Sequence, residues 1–259
     1  MLHQAYAPEV SRGSADGSSE SGRRARASGS RQGRRVQVEK PVGQWGSACG
    51  NLAELLGRAV EGRTLMKLYP IVLAAGFSSR FGSNKLLHPV EGLPMYRHIV
   101  DVLLDICSED GGIAAPVVVT QYREIVSELE GKPLSVVWNS DSREGISSSV
   151  KAGLREVLKR NKGDGEEWGC CFFVADQPYL LRDTVRRFFR KFPLCGKGIG
   201  CLGYGSARGN PAAFRASYVP ELMELEGDGG GKQVIRRHPE DLWCMEASEK
   251  WELQDIDRT

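Results

Sequence analysis

The sequence contains neither G-x-x-x-x-G-K-[ST] nor G-x-G-x-x-G, which disfavours a P-loop NTPase and a dinucleotide enzyme of the usual βαβ type. It holds four histidines in 259 residues; His88, His98 and His238 show no metal-ligand spacing and read as structural or exposed. No C-x-x-C pair joins the seven cysteines, an odd number lying partly in apolar runs, so they read as reduced, mostly buried thiols rather than a disulfide framework or zinc site. No segment approaches the ~20 apolar residues that span a bilayer, and the first residues lack the apolar core of a secretory signal. The formal net charge of +2 gives no global pull toward a polyanion, so no nucleic-acid partner is expected. These absences lead to the expectation of a cytoplasmic protein with no membrane partner.

Residues 1–65 form an expected basic extension. Met1 to about Lys40 is rich in Ser, Gly and Arg, with Arg23, Arg24 and Arg26 clustered and Arg34 beside Arg35. So few apolar side chains cannot offset chain entropy, and disorder is expected there. Asn51 to Val60 has the pattern of a short amphipathic helix. A second reading starts the biological chain at Met66, immediately before the first strand. The domain itself is expected over 66–259.

What is present is organised around Tyr69 to Lys85. Ile71 to Ala75 is short, apolar and β-branched at its start, which predicts a strand buried on both faces of a parallel sheet. A loop carrying Gly76, Arg80, Gly82 and Lys85 follows, at the carboxyl end where open α/β sheets bind ligands. Glycines allow backbone amides to approach an anion, and Arg80 and Lys85 add positive charge: the composition suits a polyphosphate. An ordinary strand-to-helix turn with solvated basic residues is the plainer reading of this loop taken alone.

The rest of the chain alternates short β-branched runs with longer helical ones. Met95 to Cys107 has helical spacing, Ala115 to Thr120 is a strand, Arg123 to Glu130 a helix, and Leu134 to Trp138 a strand. Asn139 to Leu154 follows at another carboxyl edge. Its Ser147, Ser148 and Ser149 either cap the next helix or, with Gly145 before them, contact a ligand. A strand over Gly169 to Ala175 runs into Asp176, Gln177 and Pro178, with a helix expected from near Tyr179. A carboxylate at that tip either caps the helix or holds a divalent cation. Gly209 and Asn210 precede a short strand, the glycines at 227 and 229–231 open a helix, and Asp241 to Met245 is a strand. The glycine-rich turn is either structural or an anion site. This alternation predicts an α/β fold, Rossmann-like and three-layered, with a mostly parallel central sheet.

Taken together, LAAGFSSRFGSNKLL (Leu73 to Leu87), NSDSREGISSSVKAGL (Asn139 to Leu154), VADQP (Val174 to Pro178), GNPAAF (Gly209 to Phe214), GDGGG (Gly227 to Gly231) and DID (Asp255 to Asp257) resemble the MobA-like NTP transferase family, on the side of its molybdenum cofactor cytidylyltransferases. The resemblance covers nearly everything from Met66 onward. It implies a nucleotide held by Leu73, Ala74, Ala75 and Gly76 with Asn139, Ser148 and Ser149, and a triphosphate held by Arg80 and Lys85. It further implies Mg2+ on Asp176, with Asp257 as a second ligand, and Arg80, Lys85 and Asp176 as the catalytic set. Alanine at position 75 resembles the CTP-using branch. The implied reaction moves CMP from CTP to the terminal phosphate of molybdopterin, with a molybdoenzyme of the xanthine dehydrogenase type as a later partner. Alternatives are a guanylyltransferase, a sugar- or alditol-phosphate nucleotidyltransferase, and a non-catalytic molybdopterin carrier. The family commonly continues beyond the last aspartate into a closing helix, whereas this sequence reads Asp257-Arg258-Thr259.

Overall fold

A computed structural model describes residues 66–77, 84–161 and 167–256; the extension over 1–65 with its Asn51 to Val60 helix, Arg80 and Asp257 lie outside the described residues. Strand β1 (Lys67–Ala74) leads into the glycine loop. After it come a small hairpin of β2 (Pro89–Val90) and β3 (Leu93–Pro94), helix α1 (Met95–Glu109), β4 (Val117–Thr120), α2 (Arg123–Leu129), β5 (Ser135–Trp138), α3 (Ile146–Arg160) and β6 (Trp168–Val174). The second half holds α4 (Arg182–Lys191), β7 (Ile199–Tyr204), β8 (Ala207–Arg215), the short helices α5 (Val219–Met223) and α6 (Gly231–Arg237), and β9 (Leu242–Glu246).

Seven of these strands form one sheet in the order β5-β4-β1-β6-β8-β7-β9, in which β8 alone runs antiparallel to its neighbours. Along β1 the side chains alternate between two apolar clusters. Leu68, Val72 and Ala74 pack with Met95, Ile99, Leu103, Ile125 and Phe188 from α1, α2 and α4. Tyr69 and Ile71 pack with Val150, Leu154, Leu222 and Val234 from α3, α5 and α6. A strand that faces helices on both sides needs apolar residues at every position, which is why the run reads as continuous rather than alternating. The molecule is therefore the expected three-layer α/β fold, and its strand carboxyl ends from β5 to β6 open on one edge.

Several boundaries differ from the sequence-based expectation. β1 begins at Lys67, four residues early, and runs through Pro70. The backbone of Leu68 bonds to Gly112 and Ala114, and the ladder to β4 starts at Ile71 opposite Val117. Pro70, two residues from Leu68, faces that same side in the gap, so its missing N–H interrupts no rung. Helix α4 begins at Arg182 rather than near Tyr179. The intervening turn is fixed by the buried Glu252, whose Oε2 accepts from the Leu181 amide at 3.2 Å. Gly209 and Asn210 lie within β8 rather than before it. Strand β7 was not anticipated.

The described cysteines are free thiols; Cys170, Cys171 and Cys201 are buried and Cys244 is exposed. Burial pushes the Cys170 thiol up to about 12, leaving it inert at neutral pH. Among the described residues no helix is long and apolar enough to cross a membrane.

Candidate active site

A cavity of about 460 Å³ opens where β1 and β6 end. One wall is the chain leaving β1, with Leu73, Ala75, Gly76 and Phe77; beside it Val174, Ala175 and Asp176 leave β6. Lys85 and Leu86 border it from beyond the glycine loop, and Ser142, Gly145, Ile146 and Ser149 with Asp228 complete its lining.

Lys85 and Asp176 converge at this cavity. Nζ of Lys85 stands 2.8 Å from Oδ2 of Asp176, with side-chain exposures of 16% and 25%. Asn84 presents the lysine: its Oδ1 accepts from the Leu86 amide at 3.1 Å and starts the short 3-10 turn that carries Lys85. Lys85 also donates to the carbonyl of Ile256 at 3.4 Å, and the Ile256 amide donates to the carbonyl of Asp176 at 3.2 Å. The C-terminal segment thus docks on the loop after β6. Gln177, buried, donates there to Leu253 O at 3.2 Å and to Asp255 Oδ1 at 2.8 Å.

Of the residues named from the sequence, Leu73, Ala75, Gly76, Lys85, Ser149 and Asp176 line the cavity. Three lie behind its wall. Ala74 is wholly buried in the sheet. Asn139 is buried, and its Nδ2 donates to Ser148 Oγ at 3.0 Å and to Ser149 Oγ at 2.9 Å. Its Oδ1 accepts from the Asp141 amide at 3.0 Å. Ser148 Oγ in turn donates to Gly145 O at 2.8 Å. The serines therefore do not cap α3. The cap residue is Gly145, with no side-chain cap bond, and the serines lie inside the first turn, stitched to Asn139. Gly145 has φ of 92° and ψ of −173°, a region open to glycine. A Cβ there would lie 2.4 Å from the backbone carbonyl of Gly227, whose oxygen accepts from the Ser147 amide at 3.1 Å. The glycine-rich turn before α6 is thus a structural partner of α3, and its Asp228 reaches the cavity.

Of the three histidines read from the sequence, His98 bonds to Val90 O at 2.9 Å and His238 to Glu221 at 2.6 Å, whereas His88 is exposed. Among the described residues no group of three or more His, Cys, Asp and Glu gathers to hold a metal. Asp176 nevertheless suits magnesium, which binds one or two carboxylates and completes its octahedron with water and phosphate oxygens. A lysine and a carboxylate paired at one mouth can separate their tasks on a metal-bound polyphosphate, the cation meeting phosphate oxygens and the anion meeting metal.

Cavity residues given no site role from the sequence are Phe77, Leu86, Ser142, Ile146, Val174, Ala175 and Asp228. Ser142 and Ile146 fall inside the segment already singled out at the end of β5, so their position was the available signal.

A three-layer sheet with a glycine loop after its first strand, and lysine and aspartate meeting at the strand ends, has the architecture of an α/β nucleotidyltransferase. Residues 70–242 match the model of the MobA-like NTP transferase domain, and the chain belongs to that family. It is 24% identical over 195 residues to the purine catabolism protein PucB of Bacillus subtilis, covering 73% of this chain and 91% of that protein. It is 29% identical over 175 residues to a probable molybdenum cofactor guanylyltransferase of Pyrococcus horikoshii, covering 63% of this chain and 75% of that one. In fold it resembles the crystal structure of Rv0371c from Mycobacterium tuberculosis H37Rv in complex with manganese, at a TM-score of 0.53 and 22% identity, covering 70% of this chain and 90% of that chain.

Proposed function

We propose that this chain transfers CMP from CTP to the terminal phosphate of molybdopterin. The observation that carries the reading is the meeting of Lys85 and Asp176 at a cavity lined by Leu73, Ala75, Gly76 and Phe77 where the chain leaves β1. An oxygen of the acceptor phosphate attacks the α-phosphorus of CTP in line; that P–O bond forms as the bond to the β-phosphate bridge breaks, and pyrophosphate leaves. The attacking phosphate is already ionised, so no side chain need remove a proton. What the step requires is neutralised charge. Lys85 would meet oxygens of the triphosphate, where a unit pair ~4 Å apart at an effective dielectric near 20 is worth about 4 kcal/mol. Arg80 is proposed to share that task. Asp176, joined by Asp257, would hold Mg2+, which supplies charge neutralisation across the phosphates when bound. Leu73, Ala75, Gly76 and Ser149 would touch the nucleotide, while Ala74, Asn139 and Ser148 would hold those contacts in place.

The choice of CTP rests on Ala75, which lines the cavity and is the alanine form that resembles the CTP-using branch. GTP is the second reading, favoured by the Pyrococcus relative. The name of the Bacillus relative is in keeping with a receiving molybdoenzyme of the xanthine dehydrogenase type. The test is pyrophosphate release with CTP, GTP, ATP and UTP in parallel, each with and without molybdopterin and magnesium. Release from CTP only when both are supplied is the expected result. Release from GTP alone would move the assignment to guanylyl transfer, and tight pterin binding with no release from any nucleotide would leave a carrier.

A further inference from the structure

Three consecutive side chains leaving β4 donate to three consecutive carbonyl groups leaving β1. Thr120 Oγ1 donates to Ala74 O at 3.0 Å, Gln121 Nε2 to Ala75 O at 2.6 Å, and Tyr122 Oη to Gly76 O at 2.7 Å. Backbone pairing of the two strands ends at Ala74 opposite Thr120. Side chains therefore continue the ladder where the strands have stopped, one rung per residue. The threonine hydroxyl is itself oriented, since it accepts from the Tyr122 amide at 3.2 Å.

Peptide planarity gives this ladder its consequence. In a trans peptide the C=O and the following N–H point in opposite directions, and the cis bond in the described chain lies elsewhere, at Asn210–Pro211. The three held carbonyls share their peptide groups with the amides of Ala75, Gly76 and Phe77, which are thereby turned away from β4. All three residues line the cavity. Amides fixed in advance meet a polar or anionic ligand without the ordering cost that a loose glycine loop would carry.

Gln121 has a second attachment. Its Oε1 accepts from Ser142 Oγ at 2.9 Å. A carbonyl oxygen can only accept, so the amide must turn Nε2 to Ala75 and leave Oε1 for the serine hydroxyl. Ala75 and Ser142 both line the cavity, and one side-chain amide bridges them and sets the distance between them.

We propose that Thr120, Gln121 and Tyr122 are positioning residues that hold the Ala75 to Phe77 amides ready for the nucleotide, and that Gln121 fixes the gap in which the base is selected. The inference rests on the nucleotidyl-transfer reading above and extends it to residues outside the glycine loop.

The test is titration calorimetry of the full chain with CTP, GTP, ATP and UTP in magnesium, comparing wild type with Gln121→Leu, Tyr122→Phe, Ser142→Ala and the Gln121→Leu/Ser142→Ala double variant. The Tyr122 hydroxyl is exposed, so its removal does not threaten folding. Tyr122→Phe is expected to weaken all bound nucleotides by ~3- to 10-fold with their ratios unchanged, the loss set by one hydrogen bond. Gln121→Leu is expected to weaken the preferred nucleotide by ~10-fold and to cut its preference over the others at least ~3-fold. Ser142→Ala should share that loss of preference, and the double variant should add little to Gln121→Leu. Lowered melting temperatures with unchanged affinities and ratios would reduce the ladder to a structural feature and overturn the inference. Wild-type binding that every variant keeps within twofold overturns this inference alone; wild-type protein that binds none of the four nucleotides overturns the transfer reading as well.

Discussion

Lys85 and Asp176, 91 positions apart in the chain, form an ion pair at 2.8 Å whose members follow the neighbouring strands β1 and β6. Lys85→Ala removes the cation that stands beside the Asp176 carboxylate, and Asp176→Asn removes the anion at 2.8 Å from the Lys85 ammonium. Each variant is expected to lower pyrophosphate release at least ~100-fold, the scale of losing one well-placed electrostatic contact to a reacting phosphate. The double variant should lose little beyond the worse single, because groups that act as a unit are not additive. Circular dichroism should show all three folded. Near-normal turnover in both single variants would falsify the proposed roles.

Gly145 gives a prediction about stability. Alanine there would have to adopt a φ of 92° and place Cβ against the carbonyl of Gly227 at 2.4 Å, backbone that cannot swing aside as a side chain would. Gly145→Ala should cost about 3 kcal/mol of unfolding free energy in denaturant titration, from backbone strain and the displaced contact. Since Gly145 also lines the cavity, nucleotide affinity should fall with it. A loss below ~1 kcal/mol would show that the turn before α6 yields easily.

The acid side of the stability profile should carry the mark of Glu221. The His238 ring, bonded to its carboxylate at 2.6 Å, holds Glu221 below the usual glutamate range, against desolvation and with help from Arg237. A carboxylate whose folded-state value is depressed contributes stability that is present above its unfolded value of about 4.3 and is lost as pH falls through the lower folded value. Between about pH 5 and pH 3 the wild-type melting temperature should therefore drop more steeply than that of Glu221→Gln. Parallel slopes would remove the pair as a source of pH dependence.

The parallel sheet was legible because β1, β4 and β6 are buried on both faces and must be apolar throughout. Strand β7 escaped notice because Ile-Gly-Cys-Leu-Gly-Tyr carries two glycines, which read as turn residues. The reason for Gly200 is tertiary: a Cβ there would lie 2.6 Å from the ring of Phe192, and no local pattern announces a neighbour of that kind. Lys85 and Asp176 were legible because each follows a strand's carboxyl end, where ligands gather. Gln121 occupies a corresponding place after β4, but Thr-Gln-Tyr matches no motif, and its carbonyl target lies 46 positions upstream. The serines after Gly145 were seen as a group, yet their division between wall and support is set by Asn139 and became visible only in three dimensions.

The docking of the last described residues on the β6 loop bears on how the protein should be handled at the bench. Ile256 is fastened to both Asp176 and Lys85, so an affinity tag or fluorescent module fused downstream would be tethered through a residue that touches the two charges on which turnover is proposed to depend. Purification handles belong at the other end of the chain, and kinetic results from C-terminally tagged protein should be compared with tag-free material before any rate is assigned to the native enzyme.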